Sequence, residues 1–397
     1  MNMLISENKI MVEDFEKEVS VKRVLAHING KKETPTVVII AGIHGNEKAG
    51  IIALNNVIRK IKDNSISFEG NFYAISGNIN ALKKGIRYDT VDLNRVWTES
   101  QIEYINTSVN GFNSDVNEQI EIYNTIKNIL SQNKGPFYFI DLHTTSAATE
   151  PFITISDSLN NRKFTSNFSI PIILGIEEYL EGPLLTYINE YGHISLGFEA
   201  GQHEDRLSIT NCEAFIWLSL VISKCVKKNQ IKNYKHYQHL LSKNKGDQDF
   251  YEIKFKYGID KGENFNMVDG FENFQKITKN QLLAYSNSQK IKSTLNGKVF
   301  MPLYQKQGND GFFIIKPISK FWLNLSKSVR KLKLYQLLRI LPGIKQDKTN
   351  RYVLIVNPKT ARFLADEIFH LFGYRKKVKK EDKWYFIKRD REVSRFS

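Results

Sequence analysis

The chain has 397 residues, 41% of them hydrophobic and 25% charged, a composition that excludes a disordered protein and is typical of a folded globular one. Its formal net charge of +15 is concentrated in residues 320–397, where 21 lysines and arginines stand against seven acidic residues. Because the rest of the chain is nearly neutral, its composition gives no reason to expect a nucleic-acid partner.

The compartment expected from the sequence is the cytoplasm. No run of about 18 apolar residues could span a bilayer, and the first residues lack the basic and then apolar pattern of a secretion signal. Cys212 and Cys225 lie in one apolar stretch. They are better explained as reduced core residues than as a disulfide framework.

Residues 1–227 alternate strand-like and helix-like segments. The β-branched apolar run at 36–43 predicts a strand that is buried on both faces. Further strands are predicted at 71–77, 137–143, 151–156 and 193–201, and helices at 114–130, 182–192 and 212–228. This alternation predicts an α/β domain with a mainly parallel or mixed central sheet.

The pattern changes after residue 227. Residues 228–249 are polar and predict a linker, whereas the short strand-like segments of 250–320 predict a small all-β domain. Residues 321–397 form a basic C-terminal extension, in which apolar and basic residues alternate and RKKVKK at 375–380 adds charge. We expect it either to pack as a folded appendage or to make peripheral contact with an anionic membrane.

Polar residues stand at the carboxyl ends of the predicted strands, where open α/β sheets bind ligands. The first strand runs into GIHGNE, so that a turn can aim His44 and Glu47 at one point, and His143 ends a later strand. Two histidines and one glutamate are a ligand set of catalytic zinc sites, which keep one position open. We predict one zinc ion at these residues; the alternative is that His44 is an ordinary loop residue.

Two arginines occupy the irregular segment 85–97. Arg95 with Asn94 can clamp a substrate carboxylate, and Arg87 can stabilise an oxyanion beside the metal. Pairing of both arginines with Asp89 or Asp92 at the surface is an equally good interpretation.

Glu199 lies near the end of an apolar strand, where a carboxylate is either paired in the core or part of a site. Because Glu47 is assigned to the metal, a second carboxylate must accept the proton of the attacking water. Glu199 is the best candidate by position. Asp141, two residues before His143, is predicted to orient a ligand imidazole.

Four motifs in this order, GIHGNE, RYDTVDLNR, DLHTT and FEAGQ, resemble those of the aspartoacylase/succinylglutamate desuccinylase family, a branch of the zinc carboxypeptidase superfamily. The resemblance covers roughly residues 35–320. It implies a carboxypeptidase-like α/β/α core with a smaller β domain that borders the cleft. It also implies a zinc-dependent deacylase that hydrolyses the amide bond of an N-acyl amino acid or a similar small carboxylate-bearing amide.

The resemblance also implies a role for each candidate residue. The zinc ligands match His44, Glu47 and His143, the catalytic glutamate matches Glu199, the carbonyl-polarising arginine matches Arg87, and the pair that holds the carboxylate matches Asn94 and Arg95. Aspartoacylase-type members carry a further arginine before the catalytic glutamate, whereas residues 176–198 contain none. We therefore expect an amino-acid side chain that is neutral or bound by other groups. Tyr304 is a candidate for the family's substrate-contacting tyrosine, with a packed strand position as the favoured interpretation.

Two other functions agree with the same residues. A zinc carboxypeptidase would trim a peptide C-terminus by the same chemistry and would need a wider cleft. A non-catalytic zinc-bearing protein, recruited to membranes through its basic extension, is the third hypothesis. The expected partner is a small-molecule substrate, and a homo-oligomer is left open.

Overall fold

A mixed sheet of eleven strands forms the centre of the computed structural model, which describes residues 9–12, 17–108, 111–242, 250–360, 366–380, 382–394 and 396. The strands are β1 (Lys9–Val12), β2 (Lys17–Ser20), β3 (Val24–Ile28), β4 (Thr36–Ala41), β5 (Asn71–Ser76), β6 (Phe137–Thr145), β7 (Phe152–Ile155), β8 (Ile172–Leu174), β9 (Ile194–Gln202), β10 (Phe250–Gly258), β11 (Phe265–Met267), β12 (Lys276–Ile277), β13 (Leu282–Ser286), β14 (Gln289–Lys292), β15 (Gly297–Phe300), β16 (Asp310–Pro317), β17 (Ile344–Gln346), β18 (Val353–Val356), β19 (Tyr374–Lys380) and β20 (Lys383–Lys388). The order in the large sheet is β12-β15-β16-β10-β8-β7-β9-β6-β4-β5-β3.

Helices cover both faces of this sheet. They are α1 (Ala49–Asp63), α2 (Ile79–Lys84), α3 (Glu99–Thr107), α4 (Ser114–Gln132), α5 (Leu159–Thr165), α6 (Leu184–Glu190), α7 (Arg206–Ile222), α8 (Tyr234–Leu240), α9 (Lys320–Lys331) and α10 (Asp366–Leu371). Short 3₁₀ helices lie at Leu93–Arg95, Ile176–Glu178, Lys228–Gln230 and Leu334–Ile340. Among the helices of the described residues, none has the length and apolar character needed to cross a membrane.

The central strands are buried on both faces, as their apolar runs predict. In β4, Val37, Ile39 and Ala41 contribute to the core beneath α1 and α7, whereas Val38 and Ile40 contribute to the core beneath α4 and α6. This division follows from the two-residue alternation of side chains in a strand. Strands β5, β4, β6 and β9 are mutually parallel, and their carboxyl ends therefore lie at one edge of the sheet. The predicted α/β core with a mixed sheet is confirmed.

The strands of 250–320 attach directly to the large sheet. β10 pairs in parallel with β8, and β16, β15 and β12 continue the sheet in antiparallel order. Only β11, β13 and β14 form a sheet of their own. Because neighbouring strands share backbone hydrogen bonds, the β region continues the strands of the α/β domain without a gap. The domain boundaries at 227, 249 and 320 stay predictions.

Part of the predicted linker is helical and packed. Tyr234 and Tyr237 of α8 are buried in the core beneath α7, so residues 228–242 belong to the body of the domain. The remainder of the predicted linker, 243–249, lies outside the described residues.

The C-terminal extension folds onto the α/β domain. It consists of α9, α10 and a sheet of order β17-β18-β20-β19, with a small apolar core of its own. Its Arg330 and Arg375 are buried against Asp157 of the main domain, with N–O distances of 3.2 and 2.7 Å. Arg375 belongs to the RKKVKK segment that was predicted to add surface charge, and that prediction is wrong for this residue. Its positive charge is used in a buried ion pair.

Candidate active site

Three predicted ligands meet at the carboxyl edge of the parallel strands. The Nδ1 atom of His44 lies 2.7 Å from Oε1 of Glu47, and Nδ1 of His143 lies 2.9 Å from Oε2. All three side chains are buried, and their candidate ligand atoms lie within 4.8 Å of one another. Burial opposes ionisation of Glu47, but the two imidazoles hold its pKa well below the usual range. This donor set could hold a metal ion.

Each imidazole is held from behind by a second carboxylate. Nε2 of His44 lies 3.0 Å from Oδ1 of Asp92, and Nε2 of His143 lies 2.7 Å from Oδ2 of Asp141. A carboxylate on the far nitrogen leaves the near nitrogen free to bind a metal and fixes the ring orientation. Both Nδ1 atoms therefore point into the cluster.

The loop after β4 takes its shape from close backbone packing. Gly45 donates its N–H to the carbonyl of Arg87 at 3.1 Å, which joins the His44 loop to the arginine segment. A Cβ atom at Gly45 would lie 2.1 Å from the carbonyl carbon of Ala81, so no larger residue fits there. Gly45, the second glycine of GIHGNE, thus allows α2 to pack against the loop that carries His44 and Glu47.

Glu199 of β9 stands beside the metal-ligand candidates. It pairs with His143 in the register of β6 and β9, and its Oε2 atom is buried with no hydrogen-bond partner among the described residues. Burial raises the pKa of Glu199 to about 8, and the charges of Glu47 and Asp141 act in the same direction. A buried, unpaired carboxyl group that retains its proton near neutral pH is typical of an acid–base residue.

The two arginines differ in their surroundings. Arg87 lies 3.3 Å from Glu47 through Nη1 and 3.3 Å from Asp92 through Nη2, and it lines the same cavity as the ligand candidates. Arg95 is bound by Asp310, with Nη2 at 2.6 Å from Oδ2. Each arginine therefore has an acidic partner, but these ion pairs lie at the cavity and not on the outer surface.

Asn94 and Arg95 line the same cavity. The side-chain carbonyl of Asn94 accepts a hydrogen bond from the N–H of Leu184 at 3.1 Å, which orients the amide. Lys256 lies 2.5 Å from the second oxygen of Asp310, so this carboxylate holds two cations. Burial opposes it, yet these cations lower the pKa of Asp310. The group Arg95–Asp310–Lys256 carries a net positive charge beside the cavity.

The cavity is small and capped. Its volume is about 130 Å³, and the loop 301–309 between β15 and β16 closes one side. In this loop Gln305 accepts hydrogen bonds from Asn46 at 3.1 Å and from Nε2 of His203 at 3.2 Å. Burial lowers the pKa of His203, which keeps the ring neutral, with Nδ1 accepting from Thr144. The rest of the lining includes hydroxyl-bearing and apolar residues: Thr154, Ser156, Thr186, Ser195, Ile176, Leu180, Leu185 and Phe313.

Tyr304 is directed away from this cavity. Its hydroxyl donates to the carbonyl of Val268 at 2.8 Å and accepts from the N–H of Phe271 at 2.9 Å. The favoured interpretation, a packed strand position, is wrong, because Tyr304 lies in the loop between β15 and β16 and its side chain is partly exposed, with only the hydroxyl held by the backbone. Among the described residues the tyrosine that lines the cavity is Tyr88.

The part of the chain that contains the candidate site is similar to known proteins. Residues 33–216 match the family model of the succinylglutamate desuccinylase/aspartoacylase catalytic domain, a range that contains every predicted site residue. This stretch of the chain therefore corresponds to the catalytic domain of that family. A succinylglutamate desuccinylase from Photorhabdus laumondii is 29% identical over 153 residues, which are 37% of this chain and 44% of the relative. One from Yersinia pseudotuberculosis is 35% identical over 74 residues, 19% of this chain and 22% of the relative. The chain thus spans less than half the length of these relatives.

Solved structures of the family share the fold of this chain at low sequence identity. A succinylglutamate desuccinylase from Vibrio parahaemolyticus has 14% identity and a TM-score of 0.55, over 80% of this chain and 90% of that chain. A succinylglutamate desuccinylase/aspartoacylase from Rhodobacter sphaeroides has 14% identity and a TM-score of 0.55, over 79% and 94%. The recognition of the family from four motifs is confirmed.

Several residues of the site do not follow from the sequence. Its pattern indicates Asp92 only as a surface partner of arginine and does not predict the contact of Asp92 with His44. Asp310 and Gln305 lie more than 200 residues from their partners Arg95 and Asn46, so no local pattern could reveal them. A signal was present only for Asp92, which lies three residues before Arg95 in the same polar segment.

Proposed function

We propose that this chain is a zinc-dependent deacylase that hydrolyses the amide bond of an N-acyl amino acid or a similar small amide bearing a carboxylate. The observation that carries the proposal is the convergence of two Nδ1 atoms on one carboxylate, with a buried carboxyl group in the adjacent strand. Relatives that are named succinylglutamate desuccinylases support amide hydrolysis as the reaction.

The donor set fits zinc. His44, His143 and Glu47 supply two nitrogen atoms and a carboxylate, which is a zinc ligand set with a position left for reactants. Asp92 and Asp141 hold the far ring nitrogens, as carboxylates do behind zinc-binding histidines. When bound, zinc supplies a Lewis acid that polarises the amide carbonyl and makes water easier to deprotonate.

Glu199 acts as the proton carrier. Its unpartnered Oε2 accepts a proton from the attacking water and returns it to the leaving nitrogen, so that the amine departs neutral. The pKa of about 8 describes the site without a cation, where burial disfavours the carboxylate. A divalent cation at the neighbouring ligands favours the ionised form and thus prepares Glu199 to act as a base.

Arg87 and Arg95 bind the negatively charged groups of the substrate and of the transition state. Arg87 lies in the cavity beside Glu47, where its guanidinium can donate to the carbonyl oxygen as negative charge develops there. Arg95 and Asn94 line the same cavity, where they can bind a carboxylate. Asp310 fixes the orientation of Arg95 before substrate arrives, which reduces the entropy lost on binding.

The cap over the cavity favours a small amide over a peptide. The loop 301–309 forms part of the cavity wall, and a volume of about 130 Å³ leaves little room for a peptide. This loop is held by hydrogen bonds to Asn46, His203 and Ser146. Carboxypeptidase action is therefore the less favoured alternative.

The hydroxyl groups that line the cavity favour a neutral side chain on the amino acid of the substrate. Thr154, Thr186 and Ser195 offer hydroxyl groups there, and the only cations that line the cavity among the described residues are Arg87, Arg95 and imidazoles. Arg87 and Arg95 already have assigned roles at the carbonyl and the carboxylate. A second carboxylate on the substrate would lack a cation.

The test is the release of amino acid from a panel of N-acyl amino acids, together with zinc content, for the wild type and Glu199→Gln. We expect about one zinc per chain in both proteins and a loss of kcat of roughly 10²–10⁴-fold in the variant, the usual contribution of a general base. Glu204→Gln changes an exposed glutamate near the same strand and serves as the matched control, with activity retained.

Two outcomes would overturn parts of the proposal. If neither protein binds zinc, the ligand assignment at His44, Glu47 and His143 is wrong. If both bind zinc and the wild type cleaves no member of the panel, the deacylase assignment fails. A peptide substrate or a non-catalytic role would then be the better explanation.

A further inference from the structure

Exposed apolar side chains of this chain are concentrated in one short stretch. The described residues contain eleven exposed large apolar side chains, and six of them lie between residues 321 and 340: Phe321, Trp322, Leu332, Leu334, Leu337 and Ile340. Single exposed apolar residues are ordinary on a protein surface, but a contiguous group marks an interaction site. This group is called the apolar face below.

The 3₁₀ helix at 334–340 has an exposed apolar edge, a buried edge and a basic edge. Because a 3₁₀ helix has three residues per turn, Leu334, Leu337 and Ile340 share one edge, and all three are exposed. A second edge carries Leu338, which is buried in the core of the extension. The third edge carries Lys333 and Arg339 together with Gln336. One edge therefore holds the helix to the protein, while an apolar edge and a basic edge face outward.

Helix α9 continues the same arrangement. Phe321, Leu325 and Leu332 are four and seven residues apart, which places them along one side of the helix. Phe321 and Leu332 are exposed, while Ser326 and Arg330 on the opposite side are buried; Val329, which lies between the two sides, is buried as well. Both elements thus carry exposed apolar side chains, and in the 3₁₀ helix these lie on a different edge from the buried Leu338.

The charge around the apolar face has a single sign. Residues 317–346 include seven lysines and arginines and no acidic residue. Arg330 is buried against Asp157 and Asp390, and the other six are exposed: Lys320, Lys327, Lys331, Lys333, Arg339 and Lys345. A second copy of the chain would bring these cations against one another. Phosphate groups of nucleic acid would attract the cations but would leave the leucines without a partner.

The extension holds the apolar face rigidly. Arg330 of α9 bonds Asp157 in the main domain and Asp390 near the C-terminus, and Arg375 bonds Asp157 and Glu178. These ion pairs are buried, so the face belongs to a folded surface and is presented in one orientation.

We infer that the apolar face of 321–340 docks this protein onto the surface of an anionic lipid bilayer. Leucine, isoleucine and aromatic side chains enter the boundary between headgroups and acyl chains, while lysine and arginine contact anionic headgroups. Aromatic side chains such as Phe321 and Trp322 are suited to this interface. The contact is peripheral, and it does not depend on the proposed deacylase activity.

The experiment is flotation of the zinc-loaded full chain with vesicles of phosphatidylcholine alone or with about one third phosphatidylglycerol. We expect the protein to float with the anionic vesicles and at least tenfold less with the neutral ones, and the binding to weaken with salt. Leu337→Ser should reduce flotation severalfold, and the triple change Leu334→Ser, Leu337→Ser and Ile340→Ser at least tenfold. Their exposed positions predict unchanged folding, which thermal unfolding would verify.

Leu207→Ser is the matched control, because Leu207 and Leu337 are leucines with the same exposed fraction of 54% on different parts of the molecule. This control should float like the wild type. The inference is overturned if the wild type stays away from anionic vesicles or if the triple variant floats equally well. It is also overturned if the wild type is a dimer in solution that the triple change converts into a monomer, because a second copy then covers the face.

Discussion

The carboxylate of Asp92 lies 3.0 Å from Nε2 of His44, although 48 residues separate the two in the chain. The contact places Nδ1 of the same ring towards Glu47 and thereby determines which nitrogen can bind a metal. Asp141 stands in the same relation to His143 at 2.7 Å. The orientation of both ligand candidates therefore depends on residues outside the ligand set.

Replacing these orienting carboxylates should weaken zinc binding without abolishing it. For Asp92→Asn and Asp141→Asn we expect zinc affinity to fall about 10–100-fold, because the imidazoles lose the acceptor that fixes their orientation. Competition with a chromophoric chelator measures the affinity. Asp89→Asn changes a neighbouring acid that pairs with Lys84 and should leave the affinity unchanged. Unaltered affinity in both variants would contradict the orienting role.

Zinc binding should release protons and strengthen as the pH rises. Burial alone would lower the pKa of His143, but Asp141 and Glu47 raise it well above the usual value, which favours the protonated imidazole in the metal-free site. A histidine ligand must be neutral, and zinc therefore displaces that proton. Calorimetry in buffers of different ionisation enthalpy should show net proton release at pH 7. Binding enthalpies independent of the buffer would refute this expectation.

The acid limb of the pH–rate profile should report Glu199. The base acts in its ionised form, so kcat/KM should rise with pH and level off above the pKa of Glu199. Burial raises that pKa to about 8 in the absence of a cation, and bound zinc lowers it, so the midpoint should fall below 8. Steady-state rates between pH 5 and 9 provide the test. A rate that increases as the pH falls across this range would argue against Glu199 as the base.

Arg95 should act mainly in substrate binding. Arg95→Leu removes a charge-assisted contact worth about 1.5–3 kcal/mol, which corresponds to a rise in KM of roughly 10–100-fold with a smaller change in kcat. A substrate whose carboxylate is converted to a neutral amide should be cleaved equally well by wild type and variant. A loss in kcat alone, with KM unchanged, would assign Arg95 to the reaction instead.

Asp157 should stabilise the contact between the extension and the α/β domain. It accepts from Arg162, Arg330 and Arg375 in a buried setting, and these partners hold its pKa well below the usual range although burial opposes this. Asp157→Asn leaves buried arginines without their counter-charge, which costs about 3–5 kcal/mol. Urea unfolding of the full chain measures the loss. Glu33→Gln, in an exposed pair with Lys134, is the control and should change stability little.

Much of the α/β domain that carries the candidate site could be predicted from local patterns. The run at 36–41 is almost entirely apolar and mostly β-branched, so its burial on both faces follows from composition, and His44 comes three residues after the strand's end. The same reasoning locates His143 in β6 and Glu199 in β9. Their convergence is a consequence of parallel pairing, which places the carboxyl ends of neighbouring strands at one edge. The roles of these residues stay predictions.

The sequence by itself determined the family, the α/β core and the set of residues at its carboxyl edge, because each depends on neighbours within a few positions. Only the tertiary structure decided which acidic side chain forms an ion pair with which arginine. Asp310 is 215 residues from Arg95, and Asp157 is 218 residues from Arg375. In a sequence, a charged residue that will be buried looks the same as one that will stay in water, because only folding removes its hydration. Burial then makes its pairing with a distant opposite charge obligatory.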